Sequence, residues 1–173
     1  IEGHGGGQAC QVLSKGCFQG VAFAFFDASD EVSRDWAEEA ASEGAWVIDN
    51  SATFRLREGT PLVVPEVNGD VLETWSQKAL TDRAIPRIVS GPNCSTAQLV
   101  VALHPIQKRW GLRRVVVSSY QSVSGAGRKA IGELKAQTAA VLSGTAAVAR
   151  VFPHPIAFEC IPQIGKFGEG GIT

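Results

Sequence analysis

Short apolar runs alternate with amphipathic stretches in the first half of the chain, which is typical of alternating strands and helices. Residues 20–26 (GVAFAFF) and 45–49 (AWVID) are apolar runs that we interpret as two buried strands. Between them Val32, Trp36 and Ala40 recur among charged positions, which predicts an amphipathic helix. A strand, a helix and a strand within about 30 residues form a βαβ unit with parallel strands.

The helix between these strands has recognisable signals at both ends. Asp30 is a suitable N-cap for a helix that begins near Glu31, because its side chain can accept a hydrogen bond from a free backbone N–H. Gly44 can adopt the left-handed conformation that ends many helices. We therefore expect the helix to end just before Gly44.

The rest of the chain contains further helical and β-type stretches. Apolar spacing predicts a short helix at 70–80, a strand at 87–91, a helix from Ser95 to about Trp110, a long β-type stretch at 112–124 and a helix at 125–142. Residues 60–68 (TPLVVPEVN) carry two prolines, and we expect them to be extended. Pro105 predicts a kink or an early stop in the helix that contains it. The pattern changes near Gly111, and we place a domain boundary there.

The composition permits a folded core and excludes several classes of protein. Of 173 residues, 45% are hydrophobic, and 16 basic residues balance 17 acidic ones. We therefore expect no nucleic-acid partner, and no apolar stretch is long enough to span a bilayer. Four scattered cysteines do not form a disulfide scaffold, so we expect a cytoplasmic protein. The chain has no methionine, even at position 1, and we expect it to be incomplete.

Cys94 is the strongest candidate for a catalytic nucleophile. It lies in PNCSTAQ (92–98), where a predicted strand ends and a predicted helix begins. The first N–H groups of a helix have no partner inside the helix, and the helix dipole is positive there. Both effects favour a thiolate, which is the nucleophilic form of cysteine. A small, buried hydrophobic cysteine explains the position equally well.

The histidines do not supply an evident base for this thiol. His104 lies on an apolar helix face and is expected in the core, and His154 lies between prolines and is expected in a turn. His4, Cys10 and Cys17 match no common zinc spacing, so we expect no metal site. An unrelated thiol hydrolase is therefore disfavoured.

Two glycine-rich stretches are candidates for anion binding. GHGGGQ (3–8) has no strand before it and does not form a dinucleotide-binding fingerprint. SGAG (124–127) follows a β-type stretch and opens a helix, so its N–H groups can hold an anion or an amide. A plain tight turn explains SGAG equally well.

Five motifs together resemble the aspartate-β-semialdehyde dehydrogenase family in order and spacing. They are VIDNSATFR (47–55), PLVVPEVN (61–68), PNCSTAQ (92–98), SYQSVSGAG (119–127) and AFECIPQIG (157–165). The resemblance covers about residues 16–173. It implies an α/β fold in which an incomplete doubly wound, Rossmann-like nucleotide-binding domain (1–110) precedes the start of an α+β catalytic and dimerisation domain (111–173).

The resemblance also implies an activity and a site. In such an enzyme a cysteine thiolate attacks L-aspartyl 4-phosphate, phosphate leaves, and NADPH reduces the thioester to the semialdehyde, a step of amino-acid biosynthesis. The corresponding positions are Cys94 and Gln121 (catalytic), Arg55 and Asn93 (substrate-binding, with Arg55 on the phosphate), and Ser124 and Gly125 (cofactor-binding). A homodimer is implied as well.

Departures from the family pattern support a second hypothesis. No Gly-rich phosphate loop precedes Gly20, and the chain stops before the family's later substrate-binding residues and its base histidine. DASD (27–30) replaces a Ser-Ala-Gly-Gly type turn and places carboxylates where cofactor phosphate would lie nearby. We therefore expect this stretch alone to be inactive. The alternative function is a non-catalytic paralogue that keeps the fold for assembly or regulation.

Overall fold

The computed structural model describes residues 10–165 and 167–171. They divide into two compact units between Arg114 and Val115. The strands and helices are β1 Phe23–Phe26, α1 Asp30–Ser42, β2 Trp46–Asp49, α2 Pro65–Asn68, α3 Asp70–Thr81, β3 Ile88–Ser90, α4 Cys94–Trp110 and α5 Gly127–Leu142, with short 3-10 turns at Val123–Ala126 and Glu169–Gly171. In this part of the chain no helix is both long and apolar enough to cross a membrane.

Three parallel strands form the centre of the first unit. Their order is β1-β2-β3, and Val47 of β2 pairs with Ala24 on one side and Ile88 on the other. α1 connects β1 to β2, so the predicted βαβ unit and the α/β fold class are confirmed. An extended segment continues the sheet beyond β3, because Ser90 N–H donates to Pro61 O and Val63 N–H donates to Ser90 O. The prediction that residues 60–68 are extended is wrong for Pro65–Asn68, which form α2, since proline suits the first position of a helix.

The core of the first unit lies between the sheet and α1. Its buried side chains are Ala24, Phe26, Ala37, Ala40, Ala45, Val47, Phe54 and Ile88. Ala37 and Ala40 are fully buried, and their small size lets α1 lie close to the strands. Of the predicted stripe only Ala40 is buried, since Val32 and Trp36 pack at the margin of the core. The helix is rotated slightly from the predicted orientation.

The ends of α1 test the capping prediction. Ser29 is the N-cap, and its hydroxyl accepts the Val32 N–H at 3.4 Å, so the assignment of this role to Asp30 is wrong. The Asp30 carboxylate instead accepts the Ala52 N–H at 2.8 Å, a partner 22 residues away that local sequence does not show. Gly44 has φ of 106°, as a helix-ending glycine requires.

The structure excludes an early stop at Pro105 and a core position for His104, and the alternative of a kink at Pro105 stays a prediction. α4 continues through Pro105 to Trp110, so the early stop does not occur. No residue of α4 is buried in the structure as described, and His104 is half-exposed rather than a core residue. Apolar spacing predicts which residues share a helix face, but it does not show what covers that face.

The β-type stretch at 112–124 does not form the predicted strand. Residues 111–122 have no regular secondary structure, and Val116 is 77% exposed. No strand pairing within the described ranges involves this segment. β-propensity reports how side chains fit a pleated surface, whereas a strand also needs a neighbour for its N–H and C=O groups.

A buried polar network holds the second unit together. The Glu133 carboxylate accepts the N–H groups of Arg150, Val151 and Phe152, and the Gln137 carbonyl oxygen accepts those of Ile156 and Ala157. The Gln137 amide also donates to Glu133 at 3.1 Å. The network therefore fastens residues 150–157 to α5. It ends beside Phe158, a non-glycine residue with φ of 64°, a conformation that persists only when its neighbours are fixed.

These hydrogen bonds predict how the second unit responds to acid. Burial raises the pKa of the Glu133 carboxyl, but the donors of Val151, Phe152, Arg150 and Gln137 outweigh burial and hold that pKa below its ordinary value of 4.5. A carboxyl with a lowered folded-state pKa stabilises the fold above its unfolded-state pKa and loses this effect as pH falls through the folded-state pKa. The fastening of residues 150–157 is therefore present at neutral pH and lost in acid.

We expect the amide proton shifts of Val151 and Phe152, measured by NMR, to titrate with a common midpoint below pH 4.5. Glu133→Gln should remove this titration, because the amide cannot ionise. Glu159→Gln, which removes an exposed carboxyl just after this segment, is the matched control and should leave the titration in place. A wild-type midpoint above pH 4.5 would contradict the stabilisation of the Glu133 carboxylate by these hydrogen bonds.

Candidate active site

The carboxyl ends of β2 and β3 lie side by side and position the candidate site. Asp49 and Ser90 are the last residues of these strands and are paired in register. The Gly91 N–H then donates to Asp49 O at 2.7 Å, which keeps the two chains together as they leave the sheet. In open parallel sheets ligands bind outside this edge.

Cys94 lies directly beyond this edge, as the first residue of α4. Asn93 is the N-cap, and its side-chain oxygen accepts the N–H groups of Ser95 at 2.9 Å and Thr96 at 3.4 Å. The predicted placement of Cys94 at a helix N-terminus is therefore what the structure shows. Its side chain is exposed, which does not fit the alternative of a buried packing residue.

Exposure alone does not single out Cys94. Cys10, Cys17 and Cys160 are exposed as well. None of these three lies at the start of a helix. The feature that distinguishes Cys94 is its position where the N–H groups of α4 and the carboxyl edge of the sheet meet.

Arg55 lies at the same edge and bridges the two strand ends. Its Nε donates to Gly91 O at 3.0 Å, and its Nη2 donates to Asn50 O at 2.8 Å. Asn50 and Gly91 are the residues that follow β2 and β3. The guanidinium is therefore fixed against backbone just before the chain reaches Cys94.

The sequence motifs did not point to Asn50 and Gly91 as parts of this arrangement. A Cβ on Gly91 would lie 2.6 Å from the Asn50 side-chain oxygen, so the glycine leaves room for that carboxamide. The signal was present, since Asn50 directly follows one predicted strand and Gly91 is the last residue of another. What the sequence lacked was the pairing of those strands in register.

The carboxylates of the DASD turn have different surroundings. Asp30 accepts the Ala52 N–H through its side chain, and its backbone oxygen accepts the Thr53 hydroxyl at 2.9 Å. Asp30 thus joins the loops that follow β1 and β2. Asp27 is exposed, and its effect on a cofactor phosphate stays a prediction.

The remaining predicted site residues lie in one turn of the second unit. A Cβ on Gly125 would come within 3.2 Å of the Gln121 amide nitrogen, so the two residues are in close contact. The hydroxyls of Ser122 and Ser124 are hydrogen-bonded at 2.6 Å. The turn at Val123–Ala126 leads into α5. The first unit therefore groups Arg55, Asn93 and Cys94, and the second groups Gln121, Ser124 and Gly125.

The described residues contain no group of three or more His, Cys, Asp or Glu side chains that could hold a metal ion. His4 and GHGGGQ (3–8) lie outside the described residues. His154 is exposed between Pro153 and Pro155, in a bend rather than a regular element.

Comparison with known proteins identifies both halves of the chain. Residues 4–75 match the family described as semialdehyde dehydrogenase, NAD binding domain, and residues 103–173 match semialdehyde dehydrogenase, dimerisation domain. The aspartate-semialdehyde dehydrogenase of Aquifex aeolicus is 46% identical over 90% of this chain and 44% of its own length. That of Bacillus subtilis is 45% identical over 94% of this chain and 46% of its own length.

Solved structures agree with the sequence relatives. The aspartate semialdehyde dehydrogenase II of Vibrio cholerae, in a complex with ASA, has a TM-score of 0.82 and 44% identity over 90% of this chain and 44% of its own. A probable aspartate-semialdehyde dehydrogenase from Pseudomonas aeruginosa has a TM-score of 0.75 and 32% identity over the same shares. The chain spans less than half the length of the relatives it matches.

Both domains, the relatives and the fold agree with the five motifs. The doubly wound, Rossmann-like first unit and the second unit correspond to the expected fold class. The chain belongs to the aspartate-semialdehyde dehydrogenase family.

Proposed function

We propose that this chain, in a protein of the length of its relatives, supports the NADP-dependent reductive dephosphorylation of L-aspartyl 4-phosphate to L-aspartate 4-semialdehyde. The observation that carries the proposal is the exposed Cys94 at the start of α4, beside Arg55 and the carboxyl edge of a parallel sheet. A nucleophile and a guanidinium at one edge suit an acyl phosphate, which has an electrophilic carbon and an anionic leaving group.

Cys94 has the covalent role. The thiolate attacks the acyl carbon, the carbonyl electrons move to oxygen, and their return expels phosphate and leaves a thioester on Cys94. When bound, NADPH supplies the hydride that reduces this thioester. Collapse of the resulting hemithioacetal releases the semialdehyde and restores the thiolate. The N–H groups at the start of α4 favour the anionic sulfur both before the attack on the acyl carbon and after the semialdehyde is released.

Arg55 holds the phosphate. A guanidinium carries five N–H donors in a planar fork. Its two hydrogen bonds to backbone use Nε and Nη2, and Nη1 donates to none of the residues that the structure describes. Nη1 therefore offers a charged donor group to a phosphate oxygen at the sheet edge. Asn93 contributes to the substrate side of the same loop.

The turn of the second unit suits the other roles. Ser124 and Gly125 lie in the turn that opens α5, where backbone N–H groups can contact a nicotinamide cofactor. Gln121 lies against Gly125 and can orient the substrate with its amide. The second unit also carries the match to a dimerisation domain, and we propose a homodimer.

The activity is tested in a protein that carries this chain at the full length of its relatives. Semialdehyde, phosphate and NADP should yield NADPH, and the formation of NADPH is measured by its absorbance. Cys94→Ser should lower turnover on the order of a thousandfold or more, because a serine hydroxyl is a far weaker nucleophile than a cysteine thiolate.

Cys17→Ser is the matched control for this experiment, since Cys17 is also exposed but lies in a turn before β1. It should keep near wild-type turnover. Unaltered turnover in Cys94→Ser would overturn the proposed function. A folded wild-type protein without turnover would favour the non-catalytic paralogue instead.

The phosphate role of Arg55 has its own test. Arg55→Ala should raise the phosphate KM of the semialdehyde-oxidising direction about ten- to a hundredfold, which corresponds to the loss of one charge-assisted contact. Arg57→Ala removes a guanidinium that pairs with Glu38 and should leave that KM unchanged. An unchanged phosphate KM in Arg55→Ala would remove Arg55 from the phosphate site.

A further inference from the structure

We infer that Arg55 is also a positioning residue for Cys94. By hydrogen bonding to Asn50 O and Gly91 O it fixes the nucleophile loop, residues 91–93, and so sets the start of α4 before any substrate is present. This inference rests on the proposed function for its catalytic meaning. The effect of Arg55 on the reactivity of the Cys94 thiol can, however, be measured without turnover.

Each residue of the nucleophile loop is held in a different way. Gly91 is held on both sides, since its N–H donates to Asp49 O at 2.7 Å and its C=O accepts from Arg55 Nε at 3.0 Å. Pro92 has its φ fixed by its ring. Asn93 is held by its own cap, through hydrogen bonds to the first N–H groups of α4. Arg55 contributes a hydrogen bond to this loop from a position 36 residues earlier in the chain.

An arginine suits this position because the two acceptors belong to adjacent strands. Neighbouring strands lie about 4.8 Å apart, and a planar fork can donate to a carbonyl on each at the same time. A lysine carries its charge at one point on a flexible stem, so it cannot fix two carbonyls in direction. Arg55→Lys therefore keeps the positive charge and removes the bridge.

The bridge has a consequence for the thiol. Cys94 gains from the N–H groups of α4 only while the sulfur and these groups keep their relative orientation. When the Arg55 contact to Gly91 O is lost, the loop can relax and that orientation is no longer fixed. The rate at which Cys94 is alkylated should then fall. Phosphate binding alone gives no such effect, because the reaction contains no phosphate.

The experiment measures iodoacetamide alkylation of the folded chain at several pH values, with each cysteine resolved by peptide mapping. No substrate, phosphate or cofactor is added. In wild type Cys94 should react fastest. In Arg55→Lys we expect the Cys94 rate to fall roughly threefold or more, as for the loss of one hydrogen bond, while the Cys17 rate in the same molecules stays unchanged.

Two further variants separate geometry from charge. Arg57→Lys changes a neighbouring guanidinium that pairs with Glu38 and lies over Phe54, away from the strand ends, and should leave Cys94 unaffected. Arg55→Gln removes the charge as well as the fork and should slow Cys94 at least as much as Arg55→Lys. If Cys94 is alkylated more slowly in Arg55→Gln but at the wild-type rate in Arg55→Lys, the effect is one of charge, and the positioning role is overturned.

The remaining outcomes are decisive as well. Equal slowing of Cys94 and Cys17, or a chain that loses its fold in Arg55→Lys by circular dichroism, would make Arg55 a general determinant of stability and overturn the specific assignment. Selective slowing of Cys94 would support it even if the full-length protein showed no turnover. The failure of the proposed function and of this inference are therefore distinguishable.

Discussion

The hydrogen-bonded contact between the carboxyl ends of β2 and β3 is the constraint on which the candidate site depends. Asp49 pairs with Ser90, and Gly91 N–H donates to Asp49 O. These contacts bring together two loops that are about 40 residues apart in sequence. Arg55 can bridge them only because they leave the sheet at one level. The placement of Cys94 at the start of α4 then follows from the short connection between β3 and that helix.

Local sequence was sufficient for the elements whose cause is local. The apolar runs of β1 and β2, the glycine that ends α1 and the cysteine at the start of α4 were all predicted, because each depends on residues within one or two turns. The role of Arg55 in joining strand ends was not predicted. It depends on strand register, which the side-chain pattern of isolated strands does not contain.

Two wrong predictions and one omission share a physical cause, since each depends on a partner distant in sequence. Asp30 was expected to cap α1, but its carboxylate meets Ala52. Residues 112–124 were expected to form a strand, but no described segment pairs with them. Glu133 was not singled out, although it accepts three backbone N–H groups from a loop about 17 to 19 positions later. A glutamate in a helix otherwise looks like a solvated charge.

The extended segment at Pro61–Val63 gives Ser90, the last residue of β3, a hydrogen-bonded neighbour on the side away from β2. A strand end with neighbours on both sides opens only when the hydrogen bonds on both sides break, so we expect the Ser90 amide to exchange slowly with solvent. The nucleophile loop therefore begins at a strand end that is hydrogen-bonded to two neighbouring segments. A substitution in β1 that weakens its pairing with β2 should therefore leave the segment that leads to Cys94 in place, because the contacts of Ser90 do not involve β1.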